Sequence, residues 1–449
     1  MNNFNFKKIK NTKFCIDSRE LKTSNVFFCL KGKQTDGHNF VNKHIKKNCK
    51  FYVKNKFKLR KENRRFEYKL IRTSSPLKSL NNLARLRRDR LSNLIIGITG
   101  SCGKTTVKEM LYFFLSHFAN TYKSPKSYNN NIGLPLSILN QPINSKYGVY
   151  ELGMNKIGEI DYLSKILKPQ VGIITNIAPA HIGKLKSLNN IFKAKSELIA
   201  NIQKGGHIIL NSDCKYFKKL KKIAKKNKVK IITFGLETKS NYFLKKFHNG
   251  YCYIKCNNNI VKFRLKNFSS AYIYNILIAL AVINLLNLNI KKIIKKFNNF
   301  KEIKGRGNLV KVRNKNKKFS IIDDSYNSNP LSLKHSIQRL NKMDDKKFKN
   351  KIIILSEMLE LGKYSNKYHL ELSKIINKSK VKKVHCIGTK TRITHKNLSI
   401  KKRGRFFKNI NEFENNLDKL FVDKYLYLFK GSNSTGLNKV LSKRIYNVK

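Results

Sequence analysis

Gly97-Ile-Thr-Gly-Ser-Cys-Gly-Lys-Thr-Thr106 is the stretch that decides the fold. The run that leads into it, residues 93–99 (NLIIGIT), is almost continuously apolar, the pattern of a strand covered on both faces. Residues 104 to 118 read as a helix. The small residues between let successive backbone N–H groups turn inward around a phosphate, and a helix N-terminus adds about half a positive charge there. Lys104 reaches the β- and γ-oxygens, and the Thr105 hydroxyl suits Mg²⁺. Gly100, Ser101, Cys102, Gly103, Lys104, Thr105 and Thr106 are therefore candidate nucleotide-binding residues. The loop is shorter than the usual Gly-x-x-x-x-Gly-Lys-Thr, which requires glycine where this chain has Ile98. A Gly-Lys-Thr also arises as an ordinary turn in a lysine-rich chain; the strand–turn–helix setting favours the nucleotide.

Outward from the loop, apolar runs at 147–152, 171–177 and 207–210 read as further buried strands. Helical stretches at 156–167 and 188–202 separate them. Such alternation predicts an α/β domain with a largely parallel sheet. Residues 241–265 read as a hairpin-rich insert. A block from about 304 repeats the α/β alternation, with strands expected at 319–323, 351–355, 383–387 and 425–429, and reads as a second doubly wound, Rossmann-like domain. Before the loop, short strands at 14–16, 26–30 and 51–53 precede a helix at 78–90. The expected organisation is three domains: residues 1–91, a central ATP-binding domain over 92–303, and a C-terminal domain over 304–449. A length of 449 residues agrees, at roughly 150 per domain.

The charge is extreme, 96 Lys+Arg against 25 Asp+Glu, a formal net of +71. One reading is a polyanion partner. The other is compositional drift, because lysine is spread through every segment, whereas nucleic-acid binders gather it on one face. Drift is the preferred reading, with no specific nucleic acid as partner. Of the eight cysteines Cys252 and Cys256 are four apart, but no second pair sits at zinc-ligand spacing, and reduced thiols point to a cytoplasmic compartment. The first ten residues lack the apolar core of a signal peptide. The apolar run 272–290 is interrupted by Asn275, Asn284, Asn287 and Asn289, so a core helix is expected rather than a membrane span.

Four segments beyond the loop carry a family resemblance: Tyr128-Asn-Asn-Asn-Ile-Gly-Leu-Pro135, Glu151-Leu-Gly-Met-Asn-Lys-Ile-Gly-Glu159, Thr175-Asn-Ile-Ala-Pro-Ala-His181 and Lys193-Ala-Lys-Ser-Glu197. In order and spacing they resemble the central domain of the Mur ligases. Asp17-Ser-Arg19, Val26-Phe-Phe-Cys-Leu-Lys-Gly32 and Asp36-Gly-His-Asn-Phe40 look like that family's UDP-binding domain. Gly305-Arg306, Asp323-Asp-Ser-Tyr-Asn-Ser-Asn-Pro330, Glu357-Met-Leu-Glu-Leu-Gly362 and Lys430-Gly-Ser432 resemble its C-terminal domain. Within the family, Lys-Thr-Thr-Val-Lys-Glu109 and Glu-Leu-Gly-Met-Asn155 resemble the members that add D-alanyl-D-alanine to a UDP-N-acetylmuramoyl-tripeptide.

The resemblance implies an ATP-dependent ligase, acting as a monomer outside the membrane in peptidoglycan precursor synthesis. It implies transfer of the γ-phosphoryl group to a carboxylate, then attack by the incoming amine. Lys104, Glu151, His181 and Lys195 are the implied catalytic residues. Thr105 and Glu151 are oxygen ligands suited to one Mg²⁺. By resemblance His181 helps hold a second ion, and Lys195 is the family's lysine that takes up CO₂ to become a carbamate ligand. Asn275 is carried over as an adenine contact, with a helix-capping role as the alternative. Arg306 is carried over as a phosphate contact. Asp324 is carried over as a ribose contact, with metal binding or capping of the next helix as alternatives. Ser18 and Arg19 are expected at the uridine diphosphate, Asn130 at the sugar-peptide, and Lys430 and Ser432 at the dipeptide.

The plainer alternatives are a solvated strand end for Glu151 and a structural histidine for His181; against them, Glu151 ends a strand and His181 follows one, at the ends where α/β sheets bind ligands. Lys195 without the family reads as a solvated lysine. Rival functions are a Mur ligase with a different amino acid, a folylpolyglutamate synthase-like enzyme, or a basic nucleic-acid-binding protein. The Asp-Ser-Arg region ahead of the phosphate loop speaks against the folate reading.

Overall fold

A computed structural model describes residues 12–22, 25–237, 240–265, 268–314, 316–348 and 350–446. The first ten residues, read above as lacking a signal-peptide core, lie outside them.

The apolar run before the phosphate loop forms the strand Leu94–Thr99, with only Leu94 less than fully buried. It lies inside a nine-stranded sheet, between Tyr147–Glu151 on one side and Val171–Ile174 on the other, parallel to both. Thr121–Lys123 continues the sheet beyond the first neighbour, and His207–Asn211 and Lys230–Gly235 beyond the second. The chain therefore reverses its direction of travel across the sheet at Leu94–Thr99. Such a reversal leaves a crevice at the carboxyl ends of the strands, where α/β proteins bind ligands. Residues 241–265 form the expected hairpins, Tyr242–His248, Tyr251–Cys256 and Asn259–Arg264. They extend the same sheet as its outer edge.

Four parallel strands between Phe14 and Thr73 make the N-terminal sheet. Its last strand, Leu70–Thr73, was not anticipated, because only Leu70 and Ile71 of its four residues are apolar. The C-terminal sheet runs in the order Asn308–Asn314, Lys317–Asp324, Tyr425–Lys430, Asn350–Ser356, Lys383–Ile387, Arg403–Phe407. All its pairs are parallel except the first. Two of its strands escaped the sequence reading. Asn308–Asn314 and Arg403–Phe407 are its edges, and their exposed faces carry charge instead of apolar runs.

The apolar run at 272–290 is shorter as a helix than as a sequence. It forms Ser270–Leu285, started by the Ser269 hydroxyl, which accepts from Tyr272 N–H. Ten of its sixteen residues are buried. Near its end the Asn284 amide donates to the Tyr242 hydroxyl at 2.7 Å, so one interrupting polar residue is satisfied inside protein. Among the described residues no helix is long and apolar enough to cross a membrane.

That helix packs against Lys104–Leu115, the helix that follows the phosphate loop. Phe114 is fully buried between them and meets Phe297 edge-on at 4.9 Å between ring centres. Replacing Phe114 with Ala should remove about 3–5 kcal/mol from the unit that carries the loop. Denaturant unfolding followed by far-ultraviolet dichroism checks this as a lowered midpoint.

Candidate active site

The phosphate loop is held by the segment that leaves the neighbouring strand. Val171–Ile174 ends three residues earlier than expected, because Thr175 and Asn176 turn from the ladder to grip the loop. Thr175 Oγ1 donates to the Cys102 carbonyl at 2.6 Å. Asn176 Oδ1 accepts from the amides of Ser101 and Cys102 at 3.2 and 2.9 Å. Gly100 sits at φ +147°, and a Cβ there would meet Thr175 Oγ1 at 1.9 Å, so only glycine fits.

The amides of Ser101 and Cys102 donate to Asn176. The amides of Gly103, Lys104, Thr105 and Thr106 open the helix and have no acceptor among the described residues. They are the groups that helix geometry leaves unpaired. The Lys104 ammonium folds back on the Gly100 carbonyl at 2.8 Å.

Glu151 ends its strand beside the loop, where the register sets it opposite Ile98. It is 3 % exposed, so it is not a solvated strand end. Thr105 Oγ1 donates to Glu151 Oε2 at 2.9 Å and Asn129 Nδ2 donates to Oε1 at 2.8 Å. Asn129 was missed; in the run of three asparagines no sequence signal separates it from its neighbours. Asn130, the residue expected at the substrate, accepts through its side-chain oxygen from the amides of Ile132 and Gly133, just ahead of the helix Gly133–Leu139.

Lys195 is 2 % exposed, and its ammonium makes no hydrogen bond or ion pair with the described residues. Burial first, then the nearby Lys104 charge, lowers its pKa well below that of a free amine. An internal amine with a depressed pKa is what the solvated-lysine alternative does not predict. His181 sits at φ +59° with Nδ1 2.8 Å from Glu360 Oε2, a carboxylate from the C-terminal part of the chain. The His181 contact is the main cause holding the Glu360 carboxyl below its usual range. Beside it Gly183 N–H donates to the Glu360 carbonyl, and a Cβ on Gly183 would meet the Gly362 nitrogen at 2.6 Å.

The C-terminal sheet presents its strand ends to the same place. Asp324 and Lys430 are register partners on adjacent strands, and the ammonium reaches Asp324 Oδ2 at 2.7 Å. Ser336 donates to the same oxygen at 2.6 Å. The Arg306 guanidinium lies over the Tyr326 ring, 4.4 Å from its centre. Asn275 is well inside its helix, whose cap is Ser269, so the capping alternative falls; its Oδ1 lies against Gly103. Asp324 does not cap the helix that follows it either, since Asn329 does. Lys104, Thr105, Glu151, His181, Asn275, Arg306, Asp324 and Lys430 thus face one cleft of about 330 Å³.

Lys430, expected at the dipeptide, is 1 % exposed and pairs with Asp324 on the cleft wall. The Ser432 hydroxyl accepts from Leu359 N–H and is part of the fold there. Ser18 and Arg19 are outside the cleft, and Arg19 forks onto Asp17, which it lowers to about 2. Beside them a second cavity of about 930 Å³, lined by Glu20, Lys123, Lys126 and Tyr128, opens between the N-terminal and central sheets.

Residues 98–283 match the model of the Mur ligase middle domain, and residues 305–433 that of the Mur ligase glutamate ligase domain. A relative from Rickettsia prowazekii, UDP-N-acetylmuramoyl-tripeptide–D-alanyl-D-alanine ligase, is 30% identical over 433 residues, 95% of this chain and 93% of its own. The chain belongs to the Mur ligase family. A solved structure of MurF from Acinetobacter baumannii superposes with a TM-score of 0.84 at 26% identity, covering 96% of this chain and 92% of that one. The MurF ligase of Thermotoga maritima in complex with ADP shares the fold at a TM-score of 0.80 and 24% identity, covering 96% and 97%.

Gly100→Ala should abolish nucleotide binding, because the loop cannot close on Thr175. Titration with a fluorescent ADP analogue checks it; wild-type affinity in the variant would contradict the bracing described here.

Proposed function

We propose that this chain joins D-alanyl-D-alanine to a UDP-N-acetylmuramoyl-tripeptide, in peptidoglycan precursor synthesis, with ATP converted to ADP and phosphate. The observation that carries this is the Thr105–Glu151–Asn129 cluster at the mouth of a phosphate loop, faced across one cleft by Arg306, Asp324 and Lys430. Activating a carboxylate with ATP brings several anionic oxygens together, so the site must neutralise and position them. The free amides of residues 103–106 and the Lys104 ammonium are placed to hold the β- and γ-phosphates. The γ-phosphoryl group passes to a carboxylate oxygen of the tripeptide as ADP leaves. The dipeptide amine then attacks the acyl carbon, loses a proton, and phosphate departs. Arg306 supports the phosphates and Asp324 the ribose; Asn275 stands at the adenine. Closure of the C-terminal part over the cleft, through Glu360 on His181 and Gly183, excludes water from an acyl phosphate that would otherwise hydrolyse.

The donor set fits Mg²⁺. A hydroxyl, a carboxylate and a carboxamide at a helix start suit an ion that takes few protein oxygens and keeps water and phosphate as its other ligands. Among the described residues no three His, Cys, Asp or Glu side chains form a cage of their own, so such an ion depends on the nucleotide for its remaining ligands. Bound Mg²⁺ supplies charge neutralisation between the phosphates and Glu151. Lys195, internal and with its pKa lowered by burial, is suited to take up CO₂ and present a carbamate, and His181 lies on the same cleft for a second ion.

ADP release from ATP should require the UDP-tripeptide, D-alanyl-D-alanine and Mg²⁺ together; equal turnover without the dipeptide, or with glutamate and a folate acceptor, refutes the assignment. Lys104→Ala should lower turnover by roughly 100-fold or more. Enzyme depleted of CO₂ should lose activity and recover it on addition of bicarbonate, with no such recovery in Lys195→Met.

A further inference from the structure

Lys108 lies three residues after Thr105, one turn further along the same helix. It is 0 % exposed, and nothing in the proposed chemistry uses it. A buried ammonium is costly and is normally replaceable by an apolar side chain of similar volume unless its donors are needed. Here both strong acceptors belong to one segment. The ammonium donates to the Ser124 carbonyl at 2.8 Å and to the Lys126 carbonyl at 2.5 Å, with the Glu109 carboxylate at 3.5 Å. Two carbonyls two residues apart converge because the chain turns through a left-handed conformation at Lys126, φ +46°.

That segment meets every part of the molecule. Asn129, just beyond it, donates to Glu151 Oε1 and its carbonyl accepts from Gly153 N–H. The Ser127 hydroxyl lies 3.4 Å from the Tyr326 hydroxyl of the C-terminal part. Pro125, Lys126 and Tyr128 line the second cavity together with Phe14 and Glu20 of the N-terminal part. Thr105 and Lys108 thus hold the two ends of one circuit. Thr105 binds one oxygen of Glu151 directly, and Lys108 binds the root of the loop whose Asn129 binds the other.

We propose that Lys108 is a positioning residue for ligation: from inside the phosphate-loop helix it sets the 124–130 loop, so that Asn129 fixes the second oxygen of Glu151 while the same loop borders both flanking parts of the chain. The ammonium joins nucleotide side and acceptor side through carbonyl groups that no other described side chain draws together. The proposal rests on the ligase reading above.

The test compares Lys108→Met with wild type in the dipeptide-dependent assay, with fluorescent ADP binding measured separately. Wild-type enzyme lacking dipeptide-dependent ADP release would sink the ligase reading itself. Given that activity, Lys108→Met should lower kcat roughly 10- to 100-fold, the usual effect of a group that orients a ligand without touching substrate. ADP affinity should change by less than about threefold, because residues 100–106 keep their bracing. In an Asn129→Ala background the same substitution should cost less than about threefold, since the two act on one interaction. Additive losses, or a fall in ADP affinity that matches the fall in kcat, would overturn the proposal. Lys108→Gln, which keeps a donor for one carbonyl, should retain the wild-type dichroism spectrum and an intermediate kcat. If neither variant folds, the side chain serves stability alone and the positioning role is rejected.

Discussion

The bond on which the site depends joins the Thr105 hydroxyl to the Glu151 carboxylate. It ties the first turn of the phosphate-loop helix to the end of the adjacent strand, and so fixes where charge can be neutralised. Everything around it serves that placement. Parallel pairing of Leu94–Thr99 with Tyr147–Glu151 brings the two chain segments side by side. Thr175 and Asn176 hold the loop from the other neighbour. The carboxylate is buried, and a buried anion needs fixed donors; the hydroxyl and Asn129 supply them.

Much of this was legible in the chain. The phosphate loop was readable because buried strand, glycine turn and helix each leave a distinct pattern over adjacent residues. Glu151 and Lys195 were readable as positions, since each stands in a motif of fixed spacing. What was not readable depends on contacts between distant segments. No local pattern says that Asn129 rather than Asn130 reaches the carboxylate, or that Asn176 claims two loop amides. Lys430 was expected at the dipeptide; only pairing of Tyr425–Lys430 with Lys317–Asp324 reveals its partner Asp324. The edge strands were overlooked for a related reason, as one solvated face erases the continuous apolar signal.

The large positive charge also looks different once placed. Lys69, Lys108, Lys195, Lys351 and Lys430 are all buried. Lys69 and Lys108 donate to backbone carbonyls, and Lys351 and Lys430 pair with Asp345 and Asp324. Some of the lysine excess is therefore internal structure. The closing contact between the central and C-terminal parts uses little of it: at Gly183 and Gly362 backbone meets backbone, with no room for a side chain.

The rest of that excess bears on the outermost strand of the central sheet. Asn259–Arg264 ends the nine-stranded array, and among the described residues no strand pairs with its free side. An open ladder of amides and carbonyls invites a second molecule to add on, the first step of aggregation. Lys262 and Arg264 project from this border into solvent. Two copies approaching edge to edge would bring like charges together before any ladder could form. Cations that choose no ligand can still act as colloidal gatekeepers for a long, otherwise adhesive sheet.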